Sequence, residues 1–183
     1  MMALQLIGGR WPKRWAPQNA GTFNQESFAS WWPRVEADLG HLDPRVAEQW
    51  IHRHWHLSPY FGFDVKRARS ELRRLSTATI MDAVRTVDDR QPSEIADPDK
   101  IYAMFNPKGM AAFEPALTMN TTGTWNMPVL VVESDHGFVY NREQFPDAHF
   151  WLIEGHQRQR YLRALAYKGK AAPEHEVLIL AVS

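Results

Sequence analysis

The chain has 183 residues, 44% of them hydrophobic and 23% charged, which is enough to bury a sizeable core within one domain. Lysine plus arginine equals aspartate plus glutamate at 21 each, so the zero formal net charge gives no global attraction to nucleic acid or an anionic membrane; such binding has to come from a local patch. The absence of cysteine excludes disulfides, thiolate catalysis and cysteine-ligated zinc. With no basic leader followed by an apolar core and no apolar run of about 18 residues, the expectation is a soluble cytoplasmic protein without a membrane partner.

In chain order, the apolar run Ala3 to Ile7 predicts an initial strand or arm, followed by a loop rich in tryptophan and proline. Phe23 to Leu39 predicts a helix, with Asn24 or Thr22 as cap, Glu26 in the first turn and Phe28, Trp31, Trp32 and Val35 at helical spacing. Pro33 conflicts with that helix, because it removes an internal hydrogen bond. Asp43-Pro44 predicts a second helix, capped by Asp43 and ending near His56, with Val46, Trp50 and Ile51 on its inner stripe. A third helix is expected over Asp64 to Leu75 and a shorter one over Thr77 to Val84. Residues 86 to 98, polar with two prolines, predict a loop or linker.

Beyond it the pattern changes to short strands. Met127 to Glu133 reads as a buried strand, His136-Gly137 as a turn and Phe138 to Tyr140 as a strand pairing back. Phe150 to Ile153 reads as a strand, Gln157 to Lys168 as a helix and Glu176 to Val182 as a closing strand. The predicted fold is α+β: a helical, Trp-rich N-terminal region over residues 1–98, packed on a small mixed-sheet unit over 99–183 as one globule. Six of the eight tryptophans lie in the first 55 residues, at 11, 15, 31, 32, 50 and 55. Aromatics in such numbers mark a core, a base-stacking surface or a partner interface, the core being the default.

Residues 150 to 169 carry the main functional signal. A strand breaks at Glu154-Gly155, and His156-Gln157-Arg158-Gln159-Arg160 opens a helix. The first N–H groups of a helix have no internal partner and carry the positive end of its dipole, so this is a way to build an anion site. Arg158 and Arg160 stand where the dipole already repels cations, which implies a negative ligand.

With the proline-led strand Pro128 to Val132, the segment Leu152-Ile153-Glu154-Gly155-His156-Gln157-Arg158, the helix to Lys168 and the strand Val177 to Leu180, the C-terminal unit resembles the ParB/sulfiredoxin superfamily. Gly155, Arg158 and Arg160 match the Gly-Glu-Arg-Arg-x-Arg turn of ParB proteins. Glu154, Gly155, His156 and Arg158 are more similar to the Asp-Gly-His-His-Arg turn of free-serine kinases and nuclease-annotated members. The resemblance spans about residues 125 to 183. It implies that Gly155 admits a nucleotide phosphate and that Arg158 holds it. The lack of cysteine excludes sulfiredoxin's reduction chemistry, and the lack of a following helix-turn-helix speaks against operator binding.

The expected phosphate or nucleotide site is therefore Gly155, His156, Arg158 and Arg160, since the planar guanidinium binds phosphate bidentately. Glu154 and His156 are the candidate general base and proton-transfer group. Glu133 and Asp135 are the candidate ligands of a Mg²⁺ ion, and an ordinary hairpin turn is the alternative for that stretch. The solvated face of a surface helix is the alternative for the arginines. His52 and His56, four apart, could share a zinc ion but lack a third ligand; a helix-end histidine cluster is the favoured reading. The leading function is binding of a nucleotide or phosphorylated small molecule, with Mg²⁺-assisted phosphoryl transfer or phosphodiester hydrolysis as its catalytic extension. The rival is a non-catalytic module that docks a protein partner or single-stranded nucleic acid through its Trp-rich segments, Arg10-Trp11 to Arg14-Trp15 being the basic-aromatic arm.

Overall fold

Short strands and helices of at most 12 residues build the computed structural model, which describes residues 3–8, 10–60, 63–87 and 97–182 and has an α+β fold. The chain divides into two units, 1–71 with 132–149 and 179–183, and 72–131 with 150–178. Each unit draws on separated stretches of chain, and neither ends at residue 98.

In the first unit, β1 (Leu4–Gln5) runs parallel to β5 (Phe138–Tyr140), with Leu4 beside Phe138. β5 pairs antiparallel with β6 (Glu143–Phe145), giving a three-stranded sheet in the order β1-β5-β6. The link between them is two residues, Asn141 and Arg142, both at positive φ, the conformation that matches the twist of a tight hairpin. Phe138 to Tyr140 thus does form a strand, with β1 and β6 as its neighbours.

The first helix, α1 (Phe28–Leu39), starts later than the sequence predicts. Ser27, whose Oγ accepts from Ser30 N–H at 3.2 Å, caps it in place of Asn24 or Thr22. Glu26 lies outside the helix and pairs with Arg34. Pro33 sits inside α1, and the helix continues through it. α2 (Pro44–Val46) opens at the predicted Asp43 cap and widens into a π-helical turn over Ala47–His52, closed by Arg53 N–H to the Glu48 carbonyl at 3.2 Å.

The aromatic signal resolves as core. Trp11, Trp15, Trp31 and Trp50 are all buried, and Trp11 meets Trp50 edge-on at 5.2 Å between ring centres. Three indole N–H groups are satisfied inside this cluster: Trp15 donates to Asp38, Trp31 to the Trp15 carbonyl and Trp50 to Ser58. The indole donation, joined by the fork of Arg14, holds the Asp38 carboxyl below the usual carboxylate range.

The segment Asp64 to Leu75 departs most from the pattern its sequence predicts. The predicted helix is replaced by β2 (Ala68–Ser76), the edge of a five-stranded sheet ordered β2-β8-β4-β7-β3. Arg69, Glu71, Arg73 and Arg74 are good helix formers, but the edge position favours charged side chains that block pairing with another chain. The N-terminal region is therefore not uniformly helical.

Most of that sheet lies in the second unit. β4 (Val129–Glu133) and β8 (Glu174–Val182) are apolar runs, and β7 (Phe150–Glu154) pairs in parallel with β3 (Val84–Arg85), Val84 beside Phe150. α3 (Thr77–Ala83) forms where predicted, capped by Ser76. The predicted linker lies mainly outside the described residues. Its end, Asp97-Pro98, instead starts α4 (Pro98–Phe105), with Asp97 accepting from Asp99 N–H at 2.9 Å. α5 (Ala116–Thr122), also not predicted, ends in left-handed Gly123. α4 and α5 both pack on α6 (His156–Tyr167). No described helix is long and apolar enough to cross a membrane.

Candidate anion site at the start of helix α6

β7 delivers the chain to Glu154, and Gly155 turns it into α6. Gly155 has φ 101° and ψ 22°, a left-handed conformation that side chains disfavour. A Cβ there would lie 2.6 Å from Val129 Cγ1 and 3.2 Å from Arg158 Nη2. The glycine is thus demanded by contacts within the protein: the backbone passes directly beside β4, and the Arg158 guanidinium occupies the remaining space.

Arg158, in the first turn of α6, is only 9% exposed. Its Nη1 donates to the carbonyl oxygens of Met127 at 2.6 Å and Pro128 at 3.3 Å, and its Nη2 lies 3.5 Å from Glu154 Oε1. The expected phosphate clamp therefore braces the turn against the residues that lead into β4. Glu154, the expected base, is engaged as the counter-ion of that brace. A guanidinium presents five donors in a plane, and three of its directions point into protein here.

His156 is the first residue of α6 and half-buried, Gln157 is exposed and Arg160 is half-buried. No side chain caps α6, and its first turn contains no carboxylate. α1, α2, α3 and α4 by contrast each carry a capping Ser or Asp. Glu133 closes β4 and Asp135 follows it; between them Ser134 N–H donates to the His149 carbonyl at 2.9 Å, so this stretch lies beside the start of β7, whereas Glu154 and Gly155 stand at its end. Among the described residues no group of three or more His, Asp or Glu side chains comes together.

The histidine pair has another role. His52 Nε2 lies 2.7 Å from the Glu26 carbonyl and therefore donates to it, while its ring packs 5.1 Å from that of Trp31. The ring of His56 covers Gly21, where a Cβ would fall 2.4 Å from His56 Nε2.

Two polar clusters in the second unit carry no sequence motif. Behind α6, the Tyr161 hydroxyl donates to Asn120 Oδ1, Asn120 Nδ2 donates to Asn106 Oδ1 at 2.7 Å, and Asn106 Nδ2 donates to the Tyr161 hydroxyl at 2.8 Å. This closed ring of donors joins α5, the end of α4 and α6, and burial raises the Tyr161 pKa. In β8, His175 bridges two threonines. Thr77 Oγ1 spends its hydrogen on the Ala172 carbonyl, so it accepts from His175 Nε2–H at 2.8 Å. Nδ1 then accepts from Thr124 Oγ1 at 2.7 Å, which fixes a neutral tautomer, and burial lowers the pKa of His175. Only spacing across 98 residues links Thr77 to His175, and no local pattern records that.

Comparisons with protein-family models, with curated proteins and with solved structures find no match to this chain.

Proposed function

We propose that the protein binds a phosphate-bearing small ligand, a nucleotide or a phosphorylated metabolite, at the start of α6. The observation that carries this reading is the makeup of the helix's first turns: a glycine N-cap without a capping side chain, no acidic residue, and the basic side chains of His156 and Arg160. Helix N–H groups and the dipole favour an anion there, and the Arg160 guanidinium adds positive charge to the same turns. The strand, glycine turn and helix that resemble the ParB/sulfiredoxin pattern point the same way. Arg158 enters as a positioning residue that holds Gly155 and Glu154 in place, with His156 and Arg160 flanking the ligand. Mg²⁺ belongs to this reading as a companion of the ligand's own phosphates. Catalysis is left out of it, because Glu154 is committed to Arg158.

The test is a thermal-shift and calorimetric panel of nucleoside mono-, di- and triphosphates, inorganic phosphate and pyrophosphate, with and without Mg²⁺, on wild type and Arg160→Ala. A ligand of the native state raises the melting temperature. A shift by a phosphate compound that shrinks in Arg160→Ala supports the site. Failure of every compound to bind, or equal binding by the variant, refutes it. The alternative of base stacking by the N-terminal arm has lost its platform, because Trp11 and Trp15 are 5% and 1% exposed.

A further inference from the structure

The first unit contains a cavity of about 500 Å³ whose wall includes Ile7, Arg10, Pro12, Trp11, Asp64 and Lys66. This is the size range of small-molecule sites, which combine apolar walls with a few placed polar groups. Its apolar side is the outer edge of the tryptophan core: Trp11, Trp15, Phe63 and Val65 are each at most 5% exposed. Its charged side carries two cations and Asp64, and beyond the wall the Asp38 carboxylate acts on Lys66. Arg10 and Lys66 are both exposed, and among the described residues neither has a carboxylate within salt-bridge distance.

Lys66 instead holds its ammonium 5.6 Å from the centre of the Trp15 ring. The wall's one carboxylate, Asp64, turns an oxygen to the Lys66 backbone N–H at 3.2 Å. Two cations flanking an aromatic wall suit a ligand that is apolar at one end and negative at the other. We infer that this cavity binds a small organic anion with a flat apolar body, such as an aromatic carboxylate, its apolar body against the half-buried Ile7 and Pro12 and its carboxylate between Arg10 and Lys66. The site lies in a different unit from the α6 turn and does not depend on it.

The probe is 2-naphthoate, titrated calorimetrically into the full chain, with the neutral isostere 2-naphthylmethanol as control. Naphthoate is expected to bind at one site, and the alcohol about tenfold more weakly, because a charge-assisted contact is lost. Lys66→Met and Arg10→Met should each weaken naphthoate by a similar factor and leave the alcohol unchanged. Both positions are exposed, so the melting temperature should stay within a degree or two of wild type. Three results each overturn the inference: no naphthoate binding at millimolar concentration, equal binding of acid and alcohol, or naphthoate binding that ignores both substitutions.

Discussion

The guanidinium of Arg158 donates to the Met127 carbonyl at 2.6 Å, so the arginine of the Gly155 turn faces inward to the chain that feeds β4. Replacing it by methionine keeps the stem but leaves two carbonyls and Glu154 without their donor. The loss should be about 2–4 kcal/mol of unfolding free energy, measured by urea denaturation. Arg158→Lys should recover less than half, since an ammonium cannot reproduce the planar fork. Wild-type stability in the methionine variant would show that the brace carries no energy. Arg158→Ala is consequently a poor test of ligand binding, because it confounds affinity with stability.

Gly155→Ala should cost about 2–4 kcal/mol, since it adds an unfavourable positive φ to a 2.6 Å clash with Val129. The pair Gly155→Ala and Val129→Ala should be less destabilised than the sum of the two single changes if that clash is the cause. Additive free energies would assign the whole effect to the backbone.

The turn also marks the limit of what the sequence makes legible. β4, β7 and β8 were readable because buried strands need unbroken apolar runs, and α6 because a glycine and a helical stripe bracket it. β2 was not, because a charged edge strand and an exposed helix share a composition, and only the partner strand separates them. α4 carried the Asp-Pro start signal already read at Asp43-Pro44, hidden by the surrounding prolines. Gly155 and Arg158 were found as a pair. The inward turn of the guanidinium is not legible, because spacing places a side chain on a turn without saying whether its fork points inward or outward.

Tyr161→Phe should destabilise the second unit by about 1–2 kcal/mol, as Asn106 and Asn120 lose the hydroxyl that closes their ring. The same hydroxyl gives an alkaline signature. Its pKa is raised in the fold, so the stability it contributes is complete below pH 10 and is lost as pH rises from there. Wild type should therefore lose more stability than Tyr161→Phe between pH 9 and 11, compared by denaturant titration.

His175 titrates in the opposite direction. Its pKa is lowered in the fold from the ordinary value of 6.5, so below that value the unfolded chain takes up the proton more readily. The contribution is present above pH 6.5 and is lost as pH falls toward the folded pKa. His175→Gln should be less stable at neutral pH yet lose less on acidification from pH 7 to 5. A parallel fall in both proteins would place the acid sensitivity elsewhere.

Gln157 offers the sharpest separation of ligand binding from stability. It is exposed in the first turn of α6, where a carboxylate complements the dipole, so Gln157→Glu should raise stability by about 0.3–1 kcal/mol. The same charge would stand beside a bound phosphate and repel it. Under the proposed function, the variant melts higher than wild type without ligand and gains less from the phosphate compound that stabilises wild type. Calorimetry should put the affinity loss at about threefold or more at low salt, shrinking as salt screens the charge. A variant that melts higher and binds the same compound equally well would move the anion away from the start of α6, whatever Arg160→Ala does.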